Sequence, residues 1–322
     1  MCSSDLDFRL SPEAVYGLTE FARPRVAEAE LVANPGCYPT AALLALVPLA
    51  QRGLIDASRE IVIDAASGVT GAGRSPKREL LFGEIAEDYR AYATGNTHRH
   101  LPELQAALVR EGGFTGDLVF TPHLLPVRRG ILETIHVPLT RVLDQATAEG
   151  IFAAAYADEA CVRVLQGRLP SLRDVVYRNL VALGVTAVTR VRRPRLTGVA
   201  PIGNLGKGAA GPAVQNLNGL VGLPGAAGCA GWGSASSAAT SSTVLAGSTP
   251  GRGGWRGRRG TWWWCTAGAA PSAHCARGSG SRSSSATVCG SRLPRSPPRW
   301  RWPSADRSTG RSSRRCGVPA ST

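Results

Sequence analysis

Two kinds of apolar run recur along the first 230 residues, short β-branched ones and longer Ala/Leu ones, each closed off by Gly or Pro. Leu31-Val32-Ala33 predicts a short strand that Pro35 and Gly36 bring to an end. The apolar stretch 41–50 has helical length, with Gly53 as its stop and Pro48 predicting a kink or an early end. Ile61-Val62-Ile63-Asp64-Ala65 predicts a buried strand opening into a Gly-rich loop at 67–74. Further strands are expected at 117–120, 131–139 and 161–164, a helix between Asp144 and Ala157, and a last helix over 207–220 that ends near Gly222. Residues 7–30 read as a fragment with a turn at Ser11-Pro12. Strands and helices that alternate across substantial connections predict a mixed α/β fold.

Charge divides the chain sharply. Of the net +14, residues 231–322 hold 14 Arg against the single acid Asp306, which leaves the first 230 residues nearly neutral. All seven Trp lie in that terminal stretch, which is otherwise mainly Arg, Gly, Ser, Ala and Pro. This is what GC-rich codons read in a shifted frame would give. With so few aliphatic side chains to offset the entropy of ordering, 229–322 is expected to be a low-complexity, disordered tail. A basic, aromatic nucleic-acid-binding segment has a similar composition and is the alternative. Eight Cys show no pairing pattern, and neither a signal peptide nor a membrane-length apolar run is present. The expected compartment is therefore a reducing cytoplasm, with no membrane partner.

Cys37 is the first candidate for chemistry. A thiol where a strand meets a helix start sits beside unpaired N–H groups and the positive end of the helix dipole. That position predicts a pKa below the free value of roughly 8.5 and a usable nucleophile. A buried structural Cys is the competing reading. His98-Arg99-His100-Leu101-Pro102-Glu103 is the second candidate. Pro102 biases the preceding residues away from helix, and an extended segment would point His98 and His100 to one side, where imidazole can exchange protons near neutrality. No companion pair with zinc spacing is present, so no metal is expected. Ser67, Thr70 and three Gly in the 67–74 loop, closed by Arg74, can form an anion nest, and Arg128-Arg129-Gly130 is a second anion candidate.

Several segments together resemble the N-acetyl-γ-glutamyl-phosphate reductase family. They are Asp7–Leu10 with Tyr16-Gly17-Leu18, Asn34-Pro35-Gly36-Cys37-Tyr38-Pro39-Thr40, and Ser67-Gly68 through Gly71-Ala72-Gly73-Arg74. His98-Arg99-His100 with Pro102-Glu103, the stretch 120–126 with Arg129-Gly130-Ile131, and Lys207-Gly208-Ala209-Ala210-Gly211 with 213–216 complete the set. The resemblance covers residues 7 to about 228. It implies an α+β catalytic domain of the glyceraldehyde-3-phosphate-dehydrogenase-like type, inserted in a doubly wound NADP-binding domain. It also implies NADPH-dependent reduction of N-acetyl-γ-glutamyl phosphate to the semialdehyde, a step of arginine biosynthesis, through a thioester on Cys37. By the same resemblance His98 is the acid/base residue and Arg74, His100, Glu103 and Arg129 bind substrate. Ser67, Gly68 and Asn204 approach the cofactor, NADP, and the intact family member is a homo-oligomer, dimer or tetramer.

The expected division is a remnant of the NADP-binding domain at 1–33, the catalytic domain at 34–203, a returning helix at 204–228 and the tail at 229–322. Because a Gly-rich nucleotide turn should precede Asp7, this polypeptide is expected to bind NADPH very weakly and to turn over negligibly. Residues 171–205 fit the family poorly, and Pro212 stands inside the expected last helix. Alternatives are a reductase of the one-carbon-longer acetylaminoadipyl phosphate and a nucleic-acid-binding protein acting through the tail. Aspartate-semialdehyde dehydrogenase shares the thiolate logic, but the Cys37 and His98 motifs point away from it.

Overall fold

A computed structural model describes residues 13–73 and 77–229, and the backbone of three strands within 242–279. The Asp7–Leu10 segment and Arg74 lie outside the described residues. The chain opens with β1 (Ala14–Tyr16), α1 (Thr19–Ala27) and β2 (Leu31–Ala33), and β1 pairs with β2 in parallel. Next come α2 (Cys37–Ala50), β3 (Ile61–Gly68), the short α3 (Phe82–Ile85) and β4 (Arg90–Ala91). After α4 (Leu101–Gly112) follow β5 (Leu118–Leu125), β6 (Ile131–Pro138), α5 (Gln145–Ala155) and β7 (Val162–Val164). Then come the short α6 (Leu172–Val175), β8 (Val181–Ala187), β9 (Arg195–Ile202) and α7 (Gly211–Leu220). The main sheet is mixed, in the order β4-β5-β3-β6-β9-β8-β7.

Helix α2 is the centre of the core. Its residues from Tyr38 to Leu49 are all buried, as a helix that is apolar all round must be. It packs on β6, β9 and α4. The helix begins four residues earlier than its apolar run predicts, and Pro48 does not end it early. Pro48 has no N–H to offer the carbonyl of Leu44, and the hydroxyl of Tyr156 at the end of α5 donates to that carbonyl instead. A tertiary contact thus repairs the break that the sequence predicts. Gly53, at φ +62°, closes the turn after the helix, as expected.

Other expectations change with tertiary context. The residues around His98 and His100 are not extended: they form a turn that leads into α4, with Pro102 in the first helical turn, where its missing N–H costs nothing. Pro212 likewise sits in the first turn of α7, after a π-helical turn at Gly206–Ala210, rather than in a helix interior. Residues 171–205, which match the family poorly, supply β8 and β9, and β9 pairs with β6 along its whole length. Within 229–322, expected to be disordered, three strands pair: β10 (Ser242–Ala246) adds antiparallel to β2, followed by β11 (Thr261–Ala267) and β12 (Cys275–Ser279). The Thr and Val of β10 and the Thr and Trp of β11 favour strand, and β2 presents an open edge to template β10.

Candidate active site

The turn before α2 leaves no room for a side chain. A Cβ on Gly36 would come within 2.9 Å of His100 Nε2 and 3.1 Å of Glu103 Oε2. Gly36 is also the N-cap of α2, so the helix has no capping side chain of its own. The Gly36 N–H donates to Glu103 Oε1 at 2.8 Å, and the Tyr16 hydroxyl donates to the same oxygen at 2.9 Å. Thr40 donates its N–H and its hydroxyl to the Gly36 carbonyl. Cys37, the first residue of α2, is thereby fixed at the mouth of a cleft of about 370 Å³. Gly71, Arg99, His100, Asn204 and Gly208 share its wall. Gly208 is pressed against the nucleophile candidate, since a Cβ there would meet Cys37 Cβ at 2.9 Å.

Burial pushes the Cys37 thiol up to about 12. The Tyr38 N–H and Arg99 favour the thiolate, while Glu133 and Glu103 oppose it. The expectation of a lowered pKa is therefore reversed: the helix terminus acts in the predicted direction, and desolvation outweighs it. Glu133, on the core face of β6, is fully buried with neither oxygen hydrogen-bonded, and burial holds its carboxyl well above the usual range. Burial also raises Glu103 to about 7, against the hydrogen bonds from Gly36 and Tyr16.

The two histidines occupy different layers. His100 lines the cleft; burial, His98 and Arg99 lower it to about 3, and its Nδ1 is buried without a partner. His98 stands behind it, ring edge against Tyr38, Tyr92 and Phe120, and its Nδ1 accepts the His100 N–H at 3.2 Å. Burial and Arg99 lower His98 to about 4. Both imidazoles are neutral at physiological pH, and burial weakens each as a proton acceptor.

The remaining predicted residues spread out. Glu103 turns to Gly36 and Tyr16 and is not part of the cleft wall, so it braces the nucleophile's turn rather than facing a ligand. Asn204 is at the cleft, yet its Oδ1 accepts the Gly130 N–H and its Nδ2 donates to Thr70 Oγ1. The Ser67 hydroxyl donates to the Gly68 carbonyl, and Gly68 is covered by the 127–129 backbone. Asn204 and Gly68 are engaged with the 127–130 loop and Ser67 with its own neighbour, so these three residues by themselves do not form a cradle that fits NADP. Arg129 lines a neighbouring cavity. The sequence reading assigned no role to Arg99, although it sits between the two histidines. Glu133 also went unnoticed, and its signal was a lone acid at an inward position of an apolar strand.

Among the described residues no helix is long and apolar enough to cross a membrane. A family model described as semialdehyde dehydrogenase, dimerisation domain, matches residues 37–204. Curated relatives named N-acetyl-gamma-glutamyl-phosphate reductase include one from Citrifermentans bemidjiense, 46% identical over 182 residues, or 56% of this chain and 52% of the relative. Another, from Rhodospirillum rubrum, is 50% identical over 179 residues, 55% of this chain and 50% of the relative. The chain spans about half the length of the curated relatives it matches. Among solved structures, aspartate semialdehyde dehydrogenase II from Vibrio cholerae superposes with a TM-score of 0.55 at 19% identity, over 66% of this chain and 70% of the other, a likeness of fold. The α/β architecture is thus of the glyceraldehyde-3-phosphate-dehydrogenase-like type. With the matched region running from Cys37 to Asn204, across the cleft just described, the chain belongs to the semialdehyde dehydrogenase family through its dimerisation domain.

Proposed function

We propose that this chain carries the acyl-transfer chemistry of an N-acetyl-γ-glutamyl-phosphate reductase. The observation that carries the reading is Cys37 at the start of α2, facing a cleft that also holds the neutral imidazole of His100 and the Arg99 cation. Cys37 Sγ attacks the acyl carbon of the acyl phosphate. A carbon–sulfur bond forms, the carbon–oxygen bond to phosphate breaks, and the thiol proton passes to His100. Orthophosphate leaves, its charge met by Arg99. The resemblance assigns the proton transfer to His98; the geometry favours His100 for that contact and His98 as the group that orients it. Reduction of that thioester to the semialdehyde would need a hydride from a nicotinamide cofactor, which Ser67, Gly68 and Asn204 do not hold by themselves.

The domain division that goes with this reading assigns 34–203 to the catalytic domain and 204–228 to the returning segment. Self-association belongs on the open face of the main sheet, where Val62, Thr134, His136 and Thr197 are half-exposed. A cytoplasmic location accompanies an intermediate of amino-acid biosynthesis.

The test is direct. Incubated with N-acetyl-γ-glutamyl phosphate and quenched in acid, the chain is expected to release orthophosphate and to carry an N-acetylglutamyl adduct on the Cys37 peptide by mass spectrometry. Cys37→Ala is expected to show neither. Phosphate release no faster from the wild-type chain than from Cys37→Ala overturns the reading. Running acetylaminoadipyl phosphate beside it decides the chain length.

A further inference from the structure

Cys161 and Cys229 take no part in the chemistry above, and both are free and buried. Cys161 immediately precedes β7, the edge strand of the main sheet, and Cys229 closes a turn that follows α7. Two side chains bring these distant segments together. The Asn179 amide donates to Cys161 Sγ at 3.4 Å and reaches the Cys229 sulfur as well. Independently, Arg23 of α1 donates to Glu159, two residues before Cys161. A Cβ on Gly225, four residues before Cys229, would come within 3.0 Å of Nη1 of the same arginine. Each turn is also held from its own side. The Val181 N–H of β8 donates to the Cys161 carbonyl at 3.1 Å, and Asn218 of α7 donates to the carbonyls of Gly225 and Ala227. One amide that serves two thiols, and one guanidinium that touches both turns, make the sulfurs neighbours.

Their electrostatics are shared too. Burial pushes Cys161 up to about 11, Lys207 pulls it down, and Cys229 pushes it up further. Burial also raises Cys229, against the Asn179 hydrogen bond and Lys207. The buried Lys207 cation therefore favours a thiolate at either sulfur, while desolvation keeps the resting pair as thiols.

We propose that Cys161 and Cys229 form an oxidisable pair that closes to a disulfide, with a low-molecular-weight disulfide such as oxidised glutathione as electron acceptor. The Cys229 thiolate, 8% exposed against 4% for Cys161, attacks one glutathione sulfur, and the first glutathione leaves. Cys161 Sγ then attacks Cys229 Sγ, the intramolecular S–S bond forms, and the second glutathione leaves. Two electrons and both thiol protons end on two glutathione thiols. The bond staples the turn after α7 to the sheet edge and closes a loop of roughly 70 residues. Gly208, which abuts Cys37, lies inside that loop, so the staple tethers a segment of the cleft wall. This pair stands or falls apart from the acyl-transfer reading.

The experiment equilibrates the folded full chain at about pH 8 with equal concentrations of oxidised and reduced glutathione. Remaining thiols are blocked with N-ethylmaleimide, and the chain is digested with trypsin without reduction. The tryptic peptides 142–163 and 208–252 each contain a single cysteine, Cys161 and Cys229. They are expected as one cross-linked species that disappears with dithiothreitol and is absent from Cys161→Ser and Cys229→Ser. Oxidation is expected to raise the urea midpoint of wild type by on the order of 1 M and to leave that of each Ser variant nearly unchanged. Closure is expected to quicken several-fold per pH unit above neutrality, as a raised thiol requires. Wild-type peptides that stay separate, with each cysteine blocked or carrying glutathione, overturn the pairing without recourse to any variant. Linkage of either cysteine to a third as readily as to each other overturns it too, as does linkage that appears only in urea.

Discussion

At Cys37 two opposed influences meet, and their sizes decide how the thiol behaves. A helix N-terminus contributes about 0.3–1 kcal/mol toward an anion, whereas each pKa unit corresponds to about 1.4 kcal/mol, so a rise to about 12 far exceeds the dipole. The resting thiol is protonated, and both nearby imidazoles are neutral, so no preformed thiolate–imidazolium pair exists. Only the thiolate alkylates. The iodoacetamide rate at Cys37 is therefore expected to climb about tenfold per pH unit through pH 9 and beyond, and a plateau below about pH 8 would contradict this account. The position of the nucleophile was legible because Pro, Gly and the apolar run are adjacent in sequence. Its ionisation was not legible, because the burial that raises it is imposed by elements far along the chain, with Glu133 on β6 and Glu103 on α4 adding to it.

Helix α2 starts without the usual means. Its N-cap is Gly36, and Pro39 occupies the third helical position, where a Glu or Gln would reach back to the N-cap N–H in a capping box. Glu103 from α4 supplies that missing acceptor across the fold and takes the Tyr16 hydroxyl as well. Glu103→Ala removes the shared acceptor of two buried donors and is expected to cost about 2 kcal/mol or more in urea unfolding, whereas Glu103→Gln keeps an acceptor and costs less. The sign of the pH effect follows from a carboxyl raised to about 7: its contribution is full below the ordinary glutamate value of 4.5 and lost as pH rises through about 7. Wild type is thus expected to lose up to about 3 kcal/mol relative to Glu103→Gln between about pH 4 and pH 8, and parallel stability curves would remove Glu103 from this role. Elements whose signals are local, such as β3, β6 and α5 with its Asp144 cap, were legible in the sequence. Those that depend on remote partners were not. Pro102 reads as a helix breaker until the helix start is located, and Pro48 until Tyr156 is seen to replace its hydrogen bond.

Across the described residues, the first helix and the π-helical turn before the last are joined by a buried ion pair. Lys207 Nζ donates to Glu20 Oε1 at 2.6 Å and to Gln215 Oε1 at 2.7 Å, and both charged side chains are 1% exposed. Removing one partner leaves a charge stranded in the core, so Lys207→Met alone is expected to cost about 3–5 kcal/mol in urea unfolding. The double variant with Glu20→Leu is expected to recover most of that loss, and equal costs for single and double variants would show that the pair does not act as a unit. Glu20 and Lys207 lie 187 residues apart, with the entire main sheet between them. A nascent chain leaving the ribosome presents that carboxylate long before its cation has been synthesised. Docking of the N-terminal segment therefore comes late in assembly, and a chain arrested before Lys207 is translated leaves the buried Glu20 without its cation.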